Sequence, residues 1–384
     1  MFTSAMKILI LAAIAFGLTV APVADAGTAR PVVQRARAGC SWKPVGITGG
    51  TQLHAVSAVT GSDIWAVGNT NSVGKPFAIH YDGSDWKAVP MPAKGAGRID
   101  LYDVDAISKK NVWAVGYYTD GNGHSRTLTE HWNGTSWKIV PSPNKGTGDN
   151  TLLGVAAVSG SHVWAVGYWG PTAGDEGPLI EHWDGTSGRL FPPAGLGGIS
   201  RRLEDVAVVA PSNIVAVGHT PSNAHIERYD GLRWTTESDA AMQTGNAAEL
   251  WAVSATSAGA QWAVGDFIYQ SQPVAERYIG HGWVLKPPTN VGAKPNELKG
   301  VSALSATSAF AVGNYTTSGG TRRALAERFA NGSWTTFKPP NATQFDNELE
   351  SVAAISASNV WAVGFTAKNA SGVSRKPLIE HFLC

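Results

Sequence analysis

The chain contains 384 residues, and its 30 basic and 29 acidic side chains give a formal net charge of +1. Nucleic-acid-binding surfaces are usually basic patches, so this near-neutral, interspersed charge argues against a nucleic-acid partner. The 44 glycines and 21 prolines recur in phase along the chain, which indicates regular turns rather than disorder.

The N-terminal residues have the pattern of a secretory signal peptide. Lys7 supplies a positive start, residues 8–20 are apolar, and Ala24-Asp25-Ala26 fits a cleavage site. The apolar run is too short for a membrane anchor, and no later run has spanning length. We therefore predict a signal peptide at 1–26, a linker at 27–39, and a secreted mature protein that has no membrane segment.

One motif recurs seven times in the rest of the chain. It reads WAVG or a close variant, and consecutive copies lie 47 to 51 residues apart. A period near fifty residues indicates one repeated structural unit. Each unit contains four short segments rich in Val, Ile, Trp and Tyr, here named strands a to d. We predict an all-β, seven-bladed β-propeller of four antiparallel strands per blade, forming a single domain over 40–384.

The links between strands fall into two sets. The a–b and c–d links are short, whereas the b–c and d–a links are longer and differ between blades. Because the strands alternate in direction, both long sets emerge on one face. Variable loops on a rigid scaffold are where binding usually resides, so we predict that this long-loop face is the functional one.

The two ends of the domain predict how the ring closes. Residues 41–45 have the pattern of a d strand, whereas residues 380–384 end the chain just after a c strand. The N-terminal strand is therefore expected to complete the seventh blade, which removes exposed sheet edges. Cys40 and Cys384 lie at this seam, and we predict a disulfide between them in an oxidising compartment.

The alternation of WAVG with a DGxxW hairpin, as at Tyr81-Asp82-Gly83-Ser84-Asp85-Trp86, resembles known repeat propellers. It is similar to secreted propellers with kelch-like and Asp-box-like repeats, and to the propellers of photosystem-assembly factors. The resemblance covers 41–384 and implies the fold. The chain lacks the Gly-Gly pair of a kelch repeat and keeps only part of an Asp-box, so no active site is carried over.

A glutamate followed by His or Arg recurs in strand c of six blades. Residues that recur in every blade are expected to support the fold, so we interpret these carboxylates as partners in hydrogen bonds or ion pairs between blades. Acid–base catalysis is the alternative. The six residues are Glu130, Glu181, Glu227, Glu276, Glu327 and Glu380.

Residues that differ between blades on the long-loop face are the candidate site residues. A first ring precedes strand a and consists of Gln52, Asp100, Thr151, Arg202, Glu249, Glu297 and Glu348. A second ring follows the WAVG glycine and consists of Asn69, Tyr117, Tyr168, His219, Asp266, Asn314 and Phe365. Tyr118, Trp169, Phe267 and Tyr315 extend the second ring in four of the blades.

Each ring permits more than one interpretation. The acidic first ring is suited to a cation such as calcium or to sugar hydroxyls, and it also fits a solvated turn. In the second ring, Tyr117, Tyr118, Tyr168 and Trp169 form a predicted platform for a sugar, opposite the polar His219, Asp266 and Asn314. The alternative is an aromatic cap on the blade core. His219 and Asp266 also form a candidate proton-transfer pair.

The sequence contains no HExxH, G-x-S-x-G, P-loop or dinucleotide-binding motif. We predict a secreted monomer that needs no cofactor and binds a glycan or another extracellular ligand through the candidate residues. These include Arg202, Glu249, Glu297, Glu348 and Asn314. One alternative is a polysaccharide lyase or glycoside hydrolase that uses His219 and Asp266 as catalytic residues. The other is a protein-interaction scaffold.

Overall fold

The computed structural model describes residues 39–70, 75–95, 97–170, 176–195, 200–256, 259–292, 294–369 and 374–384. The predicted signal peptide, and the predicted linker apart from Gly39, lie outside the described residues. Within the described part of the chain, no helix is long and apolar enough to cross a membrane.

Seven four-stranded antiparallel sheets form the ring of blades that the repeat predicts. Blade 1 contains β2 (Gln52–Thr60), β3 (Asp63–Asn69), β4 (Pro76–Tyr81) and β5 (Trp86–Ala88). Blade 2 contains β6 (Ile99–Ser108), β7 (Asn111–Thr119), β8 (Ser125–Trp132) and β9 (Trp137–Val140). Blade 3 contains β10 (Asp149–Ser159), β11 (His162–Gly170), β12 (Gly177–Trp183) and β13 (Gly188–Leu190). Blade 4 contains β14 (Arg202–Ala210), β15 (Asn213–His219), β16 (Ala224–Tyr229) and β17 (Trp234–Glu237).

The remaining blades follow the same order. Blade 5 contains β18 (Ala248–Ala255), β19 (Gln261–Phe267), β20 (Pro273–Tyr278) and β21 (Trp283–Leu285). Blade 6 contains β22 (Asn296–Ser305), β23 (Ser308–Thr316), β24 (Arg322–Ala330) and β25 (Ser333–Phe337). Blade 7 contains β26 (Asn347–Ser356), β27 (Asn359–Ala367), β28 (Arg375–Leu383) and the N-terminal β1 (Ser41–Pro44). A 3₁₀ helix, Met242–Thr244, lies in the link between blades 4 and 5.

The outer edge of blade 7 is formed by β1, which pairs antiparallel with β28. Trp42 stands opposite Phe382 in this pairing, and their ring centroids are 5.4 Å apart. Both side chains are buried, so a strand of only four residues is anchored by aromatic packing. Cys40 and Cys384 form the predicted disulfide beside it.

The WAVG tryptophans are buried between neighbouring blades. Trp65 of blade 1 contacts Trp132 and Trp137 of blade 2, at centroid distances of 5.0 and 5.4 Å. On its own sheet Trp65 stacks on His80, which in turn bonds to Asp63 at 2.7 Å. The repeated tryptophan therefore packs against the adjacent sheet. In blade 1 it also stacks on His80, which follows the position that a glutamate occupies in the other blades.

The WAVG glycine is required by a β-bulge in strand a. A Cβ on Gly313 would lie 1.9 Å from the carbonyl oxygen of Glu297, and the same clash occurs in every blade at 1.8 to 2.1 Å. Opposite this glycine, the register of strand a skips one residue, between Leu298 and Gly300 in blade 6. Only a residue without a Cβ allows strand a to approach so closely, and the skipped residue leaves the regular pairing.

Four of the six strand-c glutamates accept hydrogen bonds from the link that leaves the preceding blade, as the sequence predicts. Glu276 accepts hydrogen bonds from the backbone N–H groups of Ala240 and Ala241, at 3.0 and 2.9 Å. Glu227 and Glu327 bind the links of blades 3 and 5 in the same way. Glu130 and Glu380 are the exceptions, because both carboxyl oxygens of each are buried without a hydrogen-bond partner. Burial raises the pKa of Glu130 to about 8.

A second set of contacts between blades faces the central channel, which has a volume of about 580 Å³. Asp103 accepts a hydrogen bond from the Val155 N–H, and Asp205 accepts one from the Val253 N–H, each at 2.8 Å. Burial and neighbouring carboxyl groups raise the pKa values of both aspartates. These carboxyl groups join strand a of one blade to strand a of the next, so we assign them to the scaffold.

Candidate functional site

The two predicted rings lie side by side at the long-loop end of the channel. Each member of the first ring pairs across the sheet with the member of the second ring in the same blade. The pairs are Gln52–Asn69, Asp100–Tyr117, Thr151–Tyr168, Arg202–His219, Glu249–Asp266, Glu297–Asn314 and Glu348–Phe365. We call this end of the channel the mouth.

A third ring, which the sequence reasoning missed, is supplied by the bulges. The residue after the Leu of strand a has no partner in strand b, and in six of the blades it contacts a residue of the first two rings. The seven residues are His54, Tyr102, Leu153, Glu204, Trp251, Lys299 and Glu350. Their sequence signal is variability, because this position differs in nearly every blade while Leu precedes it and Val follows two residues later.

His219 is held by two carboxylates, and neither belongs to Asp266. Its Nε2 lies 3.1 Å from Glu204 Oε1, and its Nδ1 lies 3.7 Å from Glu249 Oε1. Burial lowers the pKa of His219, but the hydrogen bond and charge of Glu204 and the charge of Glu249 outweigh burial, so the pKa is raised. Glu204, the bulge residue of the same blade, therefore bonds to His219 in place of the predicted partner, Asp266.

Trp251 occupies the space that separates His219 from Asp266. Its Nε1–H donates to Asp266 Oδ1 at 2.6 Å, and its ring centroid is 5.3 Å from that of His219. On the other side, the Lys299 ammonium lies 3.7 Å from the Trp251 centroid. Burial raises the pKa of Asp266 to about 6, against the hydrogen bond from Trp251.

A pocket of about 370 Å³ opens beside these residues. Arg202, His219, Glu249 and Trp251 line it, together with Thr220 and Pro221 from the b–c link of blade 4 and Glu176, Ser200 and Arg201 from blade 3 and its outgoing link. We call it the Trp251 pocket. Arg202 makes a bidentate ion pair with Glu176, at 2.7 and 2.6 Å, and its guanidinium lies 4.3 Å from the Tyr168 ring centroid. The charged wall is thus fixed before any ligand arrives.

The predicted aromatic platform is divided by the structure. Tyr117 faces the mouth, where its hydroxyl donates to Asp100 at 3.1 Å and its ring stacks on Tyr102 at 6.1 Å. Burial raises the pKa of Tyr117 to about 12. Tyr118 and Trp169 instead pack against the core between blades, each under a lysine ammonium. The alternative of an aromatic cap therefore describes these two residues better.

The acidic members of the first ring are paired with cations in blades 6 and 7. Glu297 lies 3.3 Å from Lys299, and Glu348 lies 2.7 Å from Arg322. Burial raises the pKa of Glu348 to about 7. Asn314 donates weakly to Glu297 at 3.5 Å. Among the described residues, no group of three His, Cys, Asp or Glu side chains is arranged to hold a metal ion.

In blades 1 and 2 the mouth contains the bulge residues His54 and Tyr102. His54 contacts Gln52 and Asn69 through its two ring nitrogens, at 3.4 and 3.3 Å, and its centroid is 5.1 Å from that of Tyr102. Burial lowers the pKa of His54 to about 4, so this imidazole is neutral at physiological pH. The sequence reasoning named neither His54 nor Tyr102.

Comparisons with known proteins support the fold. No family model and no curated protein matches the sequence, so the resemblance to kelch-like and Asp-box-like repeats gains no support. YCF48 bound to D1 peptide is 11% identical, with TM-score 0.55 over 89% of this chain and 97% of that chain. The WD40 propeller of Doa1 is 12% identical, with TM-score 0.56 over 89% and 96%. A PL25 polysaccharide lyase, an ulvan lyase, is 10% identical, with TM-score 0.55 over 87% and 95%. At these identities the similarity shows the fold alone.

Proposed function

We propose that this protein is a secreted, monomeric propeller that binds a glycan in the Trp251 pocket. The observation that carries the proposal is the pocket itself, in which an aromatic ring stands beside fixed hydrogen-bonding groups. Its volume of about 370 Å³ lies within the usual range for small-ligand sites. The Cys40–Cys384 disulfide favours an oxidising compartment and is compatible with secretion.

The chemistry of the wall suits a sugar ring. A sugar presents an apolar face, which an indole covers, and hydroxyl edges, which carboxylates and imidazoles can bond. Trp251 supplies the indole, while Glu249, His219 and Arg202 supply donors and acceptors. The hydrogen bond to Asp266 fixes the Trp251 ring and the ion pair to Glu176 fixes Arg202, so little side-chain entropy is lost on binding.

A glycan array, read with purified protein, tests the proposal. Trp251→Ala should lose binding by tenfold or more, because the stacking surface is removed. Trp251→Phe, which also lacks the hydrogen bond to Asp266 but keeps an aromatic ring, should retain most of the binding. Leu232→Ala is the control, since this 88% exposed side chain lies in the c–d turn of blade 4, on the face opposite the mouth. Wild-type protein that binds no saccharide but captures peptides from a peptide array would instead establish the protein-interaction alternative.

A catalytic role is the second candidate, and one contact favours it. His219 lines the pocket and is hydrogen-bonded to Glu204, and such an acid–base pair suits proton transfer to or from a sugar. Release of reducing ends or of unsaturated sugars from polysaccharides would show it. His219→Ala should then abolish turnover and leave most binding. A binding protein without catalysis would show no release at any pH.

A further inference from the structure

Tyr269 has an aromatic side chain that is exposed to solvent. It lies in the b–c link of blade 5 and is 80% exposed, more than any other aromatic side chain in the described residues. Single exposed apolar side chains are common on protein surfaces, so what distinguishes Tyr269 is its position and the turn that holds it. The link lies on the long-loop face, the same face as the Trp251 pocket.

The turn that carries Tyr269 is tightly constrained. The backbone N–H groups of Gln270 and Ser271 both donate to the Phe267 carbonyl, at 3.3 and 3.1 Å. Ser271 has a φ of 52°, a conformation that residues other than glycine seldom adopt. Strained backbone of this kind persists where surrounding contacts enforce it, and it is frequent at ligand sites. The exposure of Tyr269 is therefore not the result of a loose loop.

Contacts from both neighbouring blades brace this turn. Ile268 N–H donates to the Ala247 carbonyl at 3.0 Å, and Gln270 Nε2 donates to Asn246 Oδ1 at 2.6 Å. On the side of blade 6, Asn296 N–H donates to the Ser271 carbonyl at 3.1 Å. The segment that contains Asn246 also carries Met242, which is 55% exposed. A rigid, partly apolar rim thus borders the mouth at blade 5.

The position of the rim connects it to the pocket. Tyr269 follows Asp266 by three residues, and Asp266 accepts the indole hydrogen bond of Trp251. Three residues of extended chain span about 10 Å at most, so the Tyr269 backbone lies within that distance of the Asp266 backbone. An oligosaccharide with one sugar unit stacked on Trp251 would extend about this far along the long-loop face.

We propose that Tyr269 is an outer contact of the same ligand, so that the protein binds a chain of several sugar units rather than one terminal sugar. This inference rests on the proposed function. Tyr269 would stack on a unit outside the pocket and Trp251 on the unit inside. The two rings would then bind in sequence along one saccharide chain, and affinity should rise with its length.

Affinity electrophoresis in native gels cast with xylan, barley β-glucan or alginate identifies a polysaccharide that retards the wild-type protein. Calorimetry then compares the disaccharide and the hexasaccharide of that polysaccharide. We expect Tyr269→Ala to weaken hexasaccharide binding about five- to tenfold, from the usual value of one stacking contact, and to leave disaccharide binding unchanged. Tyr269→Phe, which keeps the ring, should bind as wild type does.

The outcomes separate this inference from the proposed function. If Tyr269→Ala binds the hexasaccharide as tightly as wild type while Trp251→Ala does not, the outer contact is wrong and the glycan site stands. If Tyr269→Ala weakens both oligosaccharides equally, no length-dependent outer contact exists. If none of the polysaccharides retards the wild-type protein, the inference and the proposed function both fail. Equal melting temperatures of the variants show that folding is not the cause.

Discussion

Trp251 donates its indole N–H to the Asp266 carboxylate across 2.6 Å while its ring faces the Lys299 ammonium at 3.7 Å. These three residues come from strands a and b of blade 5 and strand a of blade 6. The indole is therefore oriented by one charged group at its edge and another over its face. This arrangement leaves the ring surface beside His219 as part of the pocket wall.

The first prediction concerns the charge of Asp266. Burial raises its pKa to about 6, and the hydrogen bond from Trp251 opposes that rise. Trp251→Phe removes the donor and keeps the ring, so the pKa of Asp266 should rise by about one unit or more, since hydrogen bonds to charged groups contribute about 1.5–3 kcal/mol. NMR titration of the carboxyl carbon measures it. An unchanged pKa would mean that the indole does not bond to this carboxylate in solution.

The second prediction concerns stability at alkaline pH. Burial raises the pKa values of Glu130 and Glu380 to about 8, above the ordinary value of 4.5. The folded state therefore keeps protons that the unfolded state releases, and stability falls as the pH rises through 7 to 9. The raised pKa of His219 brings its titration close to this window, so variants of the glutamates themselves are needed to assign the effect. Urea denaturation midpoints should decrease steadily from pH 7 to 9.

Two variants assign this pH dependence to particular glutamates. Glu130→Gln removes a titrating group that has no hydrogen-bond partner, so it should flatten the pH dependence and stabilise the protein at pH 9 by about 1 kcal/mol. Glu276→Gln is the matched comparison. Its carboxylate accepts two backbone N–H groups, which one amide oxygen serves poorly, so it should destabilise by about 1–2 kcal/mol. Identical behaviour of the two variants would contradict the assignment.

The third prediction concerns the WAVG glycine. A Cβ on Gly313 would lie 1.9 Å from a backbone oxygen, which cannot rotate away, so Gly313→Ala should destabilise by at least about 3 kcal/mol or prevent folding. Gly282→Ala is the control, because nothing lies within 4 Å of its Cβ position and its φ is not positive. It should be neutral or slightly stabilising. Thermal denaturation of the two variants distinguishes the bulge requirement from a general intolerance of alanine.

The fourth prediction concerns the seam in blade 7. Reduction of Cys40–Cys384 should lower stability, by at most about 6 kcal/mol in the chain-entropy model for so long a loop. Truncation from Leu378 onward removes the middle of a sheet rather than its edge, because β28 lies between β27 and β1. That variant should unfold or aggregate. Intact mass, with and without reductant, and denaturation curves check both, and a truncated monomer of unchanged stability would argue against this assembly.

Sequence predicted the repeated scaffold well because its signals are local. Each strand, each hairpin and the glycine of strand b can be read within a few residues. The contacts within the mouth were harder to predict from the sequence. A bulge changes the register of strand pairing, and that register depends on both strands. Glu204 therefore took the place assigned to Asp266 beside His219. Strand alternation likewise separated Tyr117 from Tyr118, which look equivalent in sequence but lie on opposite sides of the sheet.

The bulge has a consequence for how this protein could change over generations. The bulge residue, such as Glu204 or Lys299, pairs with no residue of strand b. The leucine just before it, Leu203 or Leu298, is fully buried. Substitutions at that position leave the sheet pairing intact. The repeat thus offers seven positions around a single opening at which a substitution does not disturb the strand pairing. A library of variants confined to these seven positions would vary the ligand-binding surface while the strand pairing of every variant stays the same.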